Sequence, residues 1–512
     1  MKLSQKAFLM ASVVFSIFLL FRVSLIALYG LSAHLAAQEF NMSTNLLRQN
    51  SGRKKPVIKP TPPPFENVPP RDLALAARIP GDLILGGLFP VHKKGPVACG
   101  EIQPDRGVQR VEAMLFTIDH INLNKDILPD VTLGAYILDT CSRETYALDQ
   151  ALEYVRASLN LFDVYQFRCE NGSLPTIVNP PENVVGVVGG SYSSVSIQVA
   201  NLLRLFKIPQ ISYASTSVAL SDKTRFEFFA RTVPPDNFQA KAMADIALHF
   251  NWTYVNTVAS EGDYGEMGID SFRMEARARN ICIAVSEKVS QNADEERYDE
   301  VIRRLQTKTS ARVVVLFLRV EDARDILLAA RRQNVSGHFV WVASDGWGKE
   351  DMPVRGNDFA AQGALTIELQ SSHIPEFDVY FRGLHPLHNA RNMWFKEYWE
   401  HVHDCVFASG PEPQRGRNGS RSSPTSSSTT KRTCSGTETL SPRHYTQESK
   451  MQFVFDAVYA LAHALDHMIN AACGRWRAGG GKKSRLKCIR GMKIDGEDLY
   501  KNYLLNLTFD GN

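Results

Sequence analysis

Residues 184–222 read VVGVVGGSYSSVSIQVANLLRLFKIPQISYASTSVALSD, and this stretch decides the fold. The apolar run Val184–Val188 has the make-up of a strand buried on both faces. Gly189-Gly190 breaks it, a hydroxyl-rich turn follows, and Ser193 or Ser194 is placed to cap a helix running to about Phe206. A second strand, Pro209–Tyr213, comes at once and ends in Ala214-Ser215-Thr216-Ser217. Strand, helix and strand at this spacing form a parallel unit, so both strand ends lie at one edge of a sheet. Ligands of open α/β sheets gather at that edge. Hydroxyls there, beside a helix N-terminus with its N–H donors and partial positive charge, suit an anion such as a carboxylate. Ordinary helix capping would use the same serines.

The pattern repeats in both directions. From Gly81 onward, short apolar strands alternate with amphipathic helices, with strands expected over Ile84–Phe89, Thr132–Leu138, Tyr254–Val258, Ile281–Val289, Arg312–Leu318, Phe339–Ala343 and Leu365–Leu369. The first helix shows its period as one stripe: Val111, Met114, Leu115, Ile118 and Ile121. The strand-turn-helix signal recurs as strand Tyr254–Ser260, a Gly-rich turn Glu261–Gly265 and a helix Ile269–Arg279. Such alternation predicts doubly wound parallel sheets with helices on both faces. Two of them in series predict two similar α/β lobes with a cleft between. Ser344–Gly346 ends a strand of the second unit and would face that cleft.

Outside this core the composition changes. Phe8–Phe21 is an uninterrupted apolar run behind Lys2 and Lys6, and small residues follow at Gly30–Ala37. Residues 1–37 therefore read as a secretory signal peptide, with an uncleaved signal anchor as the alternative and Arg22 counting against a spanning helix. A Pro-rich linker is expected over 38–80. The 8 cysteines include no Cys-x-x-Cys, which fits an oxidising compartment better than metal chemistry. Sequons at Asn41, Asn171, Asn251, Asn334, Asn418 and Asn506 agree with an extracytoplasmic chain. Gly410–Gly436 reads as a disordered surface loop flanked by Cys405 and Cys434, and the basic run Arg475–Lys487 as a solvated loop between Cys473 and Cys488.

The chain has 512 residues, enough for several domains, and 58 basic against 54 acidic side chains, so nothing in its charge argues for nucleic acid. Enzyme signatures fail: Gly189–Ser193 lacks the final Gly of a nucleophile elbow, and Gly479–Lys483 lacks the spacing and the Ser/Thr of a phosphate loop. We therefore expect a binding protein, with no catalytic residues, no metal and no cofactor. Arg106 and Arg110 lie one turn apart at the start of the Val111–Ile121 helix, where cations oppose the helix dipole at about 0.3–1 kcal/mol each when exposed. Asp105 and Glu112 would neutralise them; a bound anion would do so too. Asp345 at a strand end would accept an ammonium group, or simply cap its turn.

Together these residues carry a resemblance. Gly81–Gly95, Arg106–Leu115, Val184–Asp222, Thr232–Asp236 (TVPPD), Ser260–Gly265 (SEGDYG), Trp341–Gly348 (WVASDGWG) and Gln447–Lys450 (QESK) resemble, in order, the ligand-binding ectodomain of metabotropic glutamate receptors. That family of class C G-protein-coupled receptors binds glutamate in a bilobed Venus flytrap, a type I fold like that of periplasmic binding proteins. The resemblance implies lobe 1 over 81–231 and 370–512, and lobe 2 over 232–369. It implies that Ser193 and Thr216 hold the α-carboxylate. The loop Ala214-Ser215-Thr216, with Asp345 and Tyr264, would hold the ammonium group. Arg106, Arg110 and Lys450 would hold the distal carboxylate, with Arg319 a further candidate; such charge-assisted pairs suit a dicarboxylate. Arg106 and Tyr192 resemble the group II receptors.

The resemblance further implies disulfides Cys99–Cys141, Cys405–Cys434 and Cys473–Cys488, the last two also closing local loops. Cys282 would be unpaired here, its partner belonging to a linker beyond Asn512, and Cys169 would join two copies in a homodimer. Partners implied are L-glutamate and, through a seven-helix domain absent from this sequence, an inhibitory-type heterotrimeric G protein in synaptic signalling at the plasma membrane. The sequence is then a fragment or a truncated product that binds without signalling. Two residues more than the family pattern lie between Arg319 and Asp345, so Arg319 matches that pattern less closely than the other cations do. Alternatives are a receptor for another amino acid or calcium, or a secreted decoy or carrier. The distal cations argue against a neutral ligand, which would leave them buried and unpaired.

Overall fold

The computed structural model describes residues 76–96, 99–156, 183–291, 293–407, 432–474, 487–489 and 491–509, all within the compact unit that starts at Asp72. The signal peptide, most of the linker, Asn41, Cys169, Asn171, Asn418, residues 410–431 of the expected loop 410–436 and residues 475–486 of the basic run 475–487 lie outside the described residues. The end of that loop, 432–436, is described and is not all loop, since Arg432–Thr433 is a short strand.

The first lobe opens with β1 (Ala76–Ile79), β2 (Leu83–Phe89) and a hairpin of β3 (His92–Lys94) and β4 (Cys99–Ile102). A π-helical turn, Pro104–Gln109, runs straight into α1 (Arg110–Leu123), followed by β5 (Leu133–Asp139) and α2 (Glu144–Val155). Then come β6 (Val184–Gly189), α3 (Ser193–Leu203), β7 (Gln210–Ser212) and β8 (Phe229–Arg231). The second lobe alternates α4 (Asn237–His249), β9 (Tyr254–Ser260), α5 (Asp263–Ala278), β10 (Cys282–Val289), α6 (Glu295–Gln306), β11 (Val313–Phe317) and α7 (Val320–Arg332). It closes with β12 (Val340–Ala343), the single turn α8 (Asp358–Ala361) and β13 (Leu365–Thr366). The chain then returns to the first lobe with α9 (Pro375–Gly383), α10 (Phe395–His403), the pair β14 (Cys405–Val406) and β15 (Arg432–Thr433), and the long α11 (Met451–Cys473).

The first sheet has the order β1-β5-β2-β6-β7-β8, with β1 antiparallel to β5 and the remaining pairs parallel. The second has the order β10-β9-β11-β12-β13 and is parallel throughout. Both are doubly wound, as the sequence leads one to expect. Helices cover both faces, so the central strands read as unbroken apolar runs: all of Val313–Phe317 is buried. The stripe Val111, Met114, Leu115, Ile118 and Ile121 is likewise buried, in one core with Val454, Val458, Leu461 and Leu465 of α11. Gly186 is what lets α11 approach β6, since a Cβ there would stand 2.8 Å from Leu461.

Three expectations need correction. The linker does not extend to residue 80, because Ala76–Ile79 is an edge strand whose register pairs Ala77 with Ile137. The Gly-rich turn Glu261–Gly265 is mostly helix: α5 starts at Asp263, after Gly262 at φ 108°. Its glycines serve close packing, for a Cβ on Gly265 would lie 2.1 Å from the Ser260 carbonyl oxygen. The helix expected to run to Phe206 ends as α-helix at Leu203 and tightens into a 3₁₀ turn, Arg204–Phe206.

The disulfides Cys99–Cys141, Cys405–Cys434 and Cys473–Cys488 are formed, with Cα–Cα distances of 5.0, 5.0 and 5.9 Å, and Cys282 is free and exposed. Asn251, Asn334 and Asn506 are exposed. No helix among the described residues is long and apolar enough to cross a membrane.

Next to the Cys99–Cys141 bond, His92 links β3 to two carboxylates: Nδ1 lies 2.5 Å from Asp139 Oδ2, and Nε2 3.2 Å from Glu397 Oε2 on α10. Burial alone would lower the imidazole pKa, but the hydrogen bonds and charges of Asp139 and Glu397 outweigh it and raise it from 6.5 to about 9. Because the folded value is the higher one, the stabilisation is complete below pH 6.5 and is lost as pH rises through about 9. After solvent screening it should amount to about 1–2 kcal/mol. The melting temperature of the wild type should exceed that of His92→Gln at pH 6, with the gap closing by pH 10; a constant gap would contradict the ion-pair account.

Gly265→Ala sets a backbone clash against the gain of helix propensity, about 1 kcal/mol. The clash should prevail by about 1–3 kcal/mol, lowering the urea midpoint. A raised midpoint would show that α5 has room to move.

Candidate ligand-binding site

The carboxyl ends of β6, β7, β9 and β12 turn toward the same space between the lobes. A cavity of about 290 Å³ lies there. Its wall includes Arg106, Arg110, Ser193, Ala214, Thr216, Tyr264, Arg319, Asp345 and Lys450. These come from both lobes and from segments up to 344 residues apart in sequence (106 to 450). Ser215 is the candidate that the cavity wall does not include. Its hydroxyl lies 2.8 Å from Ser196 Oγ and donates to the Gly190 and Ser191 carbonyls at 3.3 Å, so it braces the loop from behind.

The helix start and the strand-end hydroxyls meet at the cavity wall as the strand-end argument requires, with one change. Neither Ser193 nor Ser194 is the cap. α3 starts at Ser193 after Tyr192 and carries no side-chain cap. Ser193 Oγ instead accepts the Ser217 N–H at 3.2 Å, and Ser194 Oγ donates to Glu144 at 2.7 Å. The helix therefore opens at the cavity wall without a side-chain acceptor, with Ser193 and Thr216 beside it. Ser212 fixes the second wall: its Oγ donates to the Gly190 carbonyl at 2.8 Å and accepts the Ser215 N–H at 2.9 Å.

Across the cleft, Asp345 is 3% exposed and highly connected. Its Oδ1 accepts from the Tyr264 hydroxyl at 2.8 Å and from Gln239 Nε2 at 3.0 Å, and its Oδ2 pairs with Lys450 Nζ at 2.5 Å. Burial would raise the Asp345 pKa, but the charge and hydrogen bond of Lys450 prevail and hold it below the usual carboxylate range. Behind it, Asp236 shares the Gln239 amide at 2.5 Å and has its own pKa pushed up to about 7 by burial and by the charge of Asp345. Asp236 falls in the quoted TVPPD segment, yet nothing in its local pattern marks it as part of this network.

Each distal cation has an acidic partner on the protein. Arg110 forks onto Glu448 at 2.6 and 3.0 Å and donates from Nη1 to Ser191 Oγ at 2.8 Å. Arg106 reaches across the cleft to Glu350, with Nε and Nη2 both on Oε1 at 2.8 and 2.7 Å. Arg319 pairs with Asp322 at 2.8 Å, and Asp322 is itself held by Ser260 and Tyr298. The argument that a neutral ligand would strand these cations therefore does not hold: Glu350, Glu448 and Asp322 already compensate them. Sequence reasoning missed Glu350 and Glu448 because they are distant in sequence from Arg106 and Arg110, and Asp322, three residues from Arg319, because it reads as an ordinary first-turn acid of a helix. Contacts across the cleft also include Ser217 Oγ donating to the Asp263 carbonyl at 3.0 Å, and Lys94 with Gln291. A grouping with metal-ligand chemistry, His92, Cys99, Asp139 and Cys141, lies outside the cleft, and its sulfurs are joined in a disulfide.

Residues 109–512 match the family described as the receptor family ligand binding region. The chain is also 49% identical over 459 residues, 85% of its length, to a protein of Drosophila melanogaster named metabotropic glutamate receptor. It spans about half of that relative, 47% of the relative's length. The chain belongs to the receptor-family ligand-binding regions, and among them to the extracellular domains of the metabotropic glutamate receptor type, in class C.

The Arg110–Glu448 pair makes a stability prediction that needs no ligand. Arg110→Met leaves Glu448, only 4% exposed, as a lone buried charge, which costs about 3–5 kcal/mol. Adding Glu448→Leu should recover most of that loss in urea denaturation. Equal stability of the single and double variants would contradict the pairing.

Proposed function

We propose that this chain is the extracellular L-glutamate-binding module of a metabotropic glutamate receptor, and that it is not an enzyme. The observation that carries the reading is the convergence in one cavity of three subsites: an uncapped helix start with hydroxyls, a carboxylate with a tyrosine hydroxyl, and a basic cluster. Their chemistry suits an α-amino acid with a distal acid. Ser193 and Thr216 take the α-carboxylate. Asp345 and Tyr264 take the ammonium group. Arg106, Arg110 and Lys450 take the distal carboxylate, while Arg319, bound to Asp322, stands by.

Lobe closure is the expected response, because these groups are divided between the lobes. A ligand shifts such an equilibrium only by its difference in affinity for the two states. In a longer protein of this family, closure would be passed to a seven-helix domain and an inhibitory-type G protein at the plasma membrane. The apolar run Phe8–Phe21 would then direct the chain to that side, the exposed sequons would carry glycans, and Cys169 would join two copies. The group II assignment rests on Arg106 and Tyr192, both in the cavity wall.

Isothermal titration should show L-glutamate binding, and Asp345→Ala or Thr216→Ala should weaken it about ten- to a hundredfold, as expected for loss of a charge-assisted bond. Undiminished binding in Asp345→Ala would remove the ammonium subsite and the reading with it.

A further inference from the structure

Arg106 and Arg110 are both paired, but in different ways. Arg110 and Glu448 stand on the same lobe, and all three guanidinium nitrogens of Arg110 are committed, two to Glu448 and one to Ser191. Arg106 stands in the Pro104–Gln109 turn of the first lobe, and Glu350 follows β12 in the second. Its Nε and Nη2 converge on one oxygen of Glu350, and Nη2 also approaches the Gly346 carbonyl at 3.4 Å. Arg106 lines the cavity and Glu350 does not. A carboxylate outside the cavity thus takes the Nε edge of the guanidinium. Glu350 does not use the Nη1 side of this planar, two-edged fork, and Tyr192, another hydrogen-bond partner of Arg106, itself lines the cavity.

An arginine side chain loses much rotamer freedom when it is fixed. A partner that grips one edge removes that cost before a ligand arrives at the other. Here the grip comes from the opposite lobe, so it exists only when the lobes are together. We propose that Glu350 is a positioning residue for recognition of the distal acid: from the second lobe it holds Arg106 by its Nε edge and presents the other edge to a ligand carboxylate. Discrimination between a distal carboxylate and a distal amide then becomes a property of the closed lobes. This inference rests on the amino-acid dicarboxylate reading above.

The test compares L-glutamate and L-glutamine by isothermal titration on the whole chain, in wild type, Glu350→Ala, Arg106→Ala and the double variant. Glu350→Ala should weaken glutamate about tenfold and glutamine less than twofold, because only the acid uses Arg106. In the Arg106→Ala background the same change should cost glutamate less than about twofold, the non-additivity of residues acting through one contact. Glu350→Gln, which keeps the shape and an acceptor oxygen, should fall between wild type and alanine. Equal weakening of both ligands would make Glu350 a simple latch between lobes, and tighter glutamate binding would make it a competitor for Arg106. Either result overturns the proposal, as does an undiminished effect without Arg106. A wild type that binds neither ligand overturns the dicarboxylate reading as well, and so separates that failure from the others.

Discussion

Charges withdrawn from water need counter-charges close by, and the cleft of this protein is built around that requirement. Arg110 with Glu448, Arg106 with Glu350, Lys450 with Asp345 and Arg319 with Asp322 place four cations and four carboxylates at or beside one small cavity. The effective cost of burying one such ion unpaired is several kcal/mol, so each pair constrains where its two elements can stand. Two of the four bridge the lobes. The relative placement of two sheets, a π-helical turn and the start of α11 is therefore fixed by electrostatics as well as by apolar packing. Parallel strand order serves this by bringing four strand ends to a common edge, where hydroxyls and backbone donors supply the neutral part of the site.

These pairs also shape what a ligand would have to do. The ammonium position proposed on Asp345 is taken by Lys450, at 2.5 Å, while Glu350 holds only the Nε edge of Arg106. A zwitterion with a distal acid would bring an ammonium group for Asp345 and a carboxylate for Lys450 and the remaining edge of Arg106, so its arrival exchanges the Lys450–Asp345 pair and leaves Arg106 on Glu350. Exchange keeps the charge of the cleft balanced at every position, whereas an uncharged ligand would gain little from disturbing pairs already made. Affinity then depends on the difference between two paired states, which small shifts in lobe position alter.

Much of the fold was legible in the sequence because both sheets are buried on two faces. Runs such as Val184–Val188 and Val313–Phe317 have no reason to be so uniformly apolar otherwise, and every strand expected from such runs is present within a few residues. What was missed lacks that signal. Ala76–Ile79 is an edge strand beside a Pro-rich segment, His92–Lys94 is polar, and Phe229–Arg231 is three residues long. Glu261–Gly265 read as a turn because glycine marks turns and close helix packing alike, and only the 2.1 Å approach of Gly265 to Ser260 tells them apart. At the site, cations at a helix start and an acid at a strand end were visible as local anomalies. Their partners were not: Glu350 has unremarkable surroundings in sequence, and Glu448 and Asp236, although inside the quoted QESK and TVPPD segments, show what they pair with only once the chain has folded. Ser215 went the other way, a hydroxyl in the right loop whose side chain faces the supporting turn.

The central claim is that ligand charges replace the Lys450–Asp345 pair in this cleft. A crystal structure of the chain with L-glutamate bound tests it most directly. The account predicts the ligand ammonium on Asp345 and Tyr264, with Lys450 Nζ displaced from Asp345 onto the distal carboxylate beside Arg106 and Arg110. Glutamate bound elsewhere, or bound in the cavity with the Lys450–Asp345 pair intact, would contradict it.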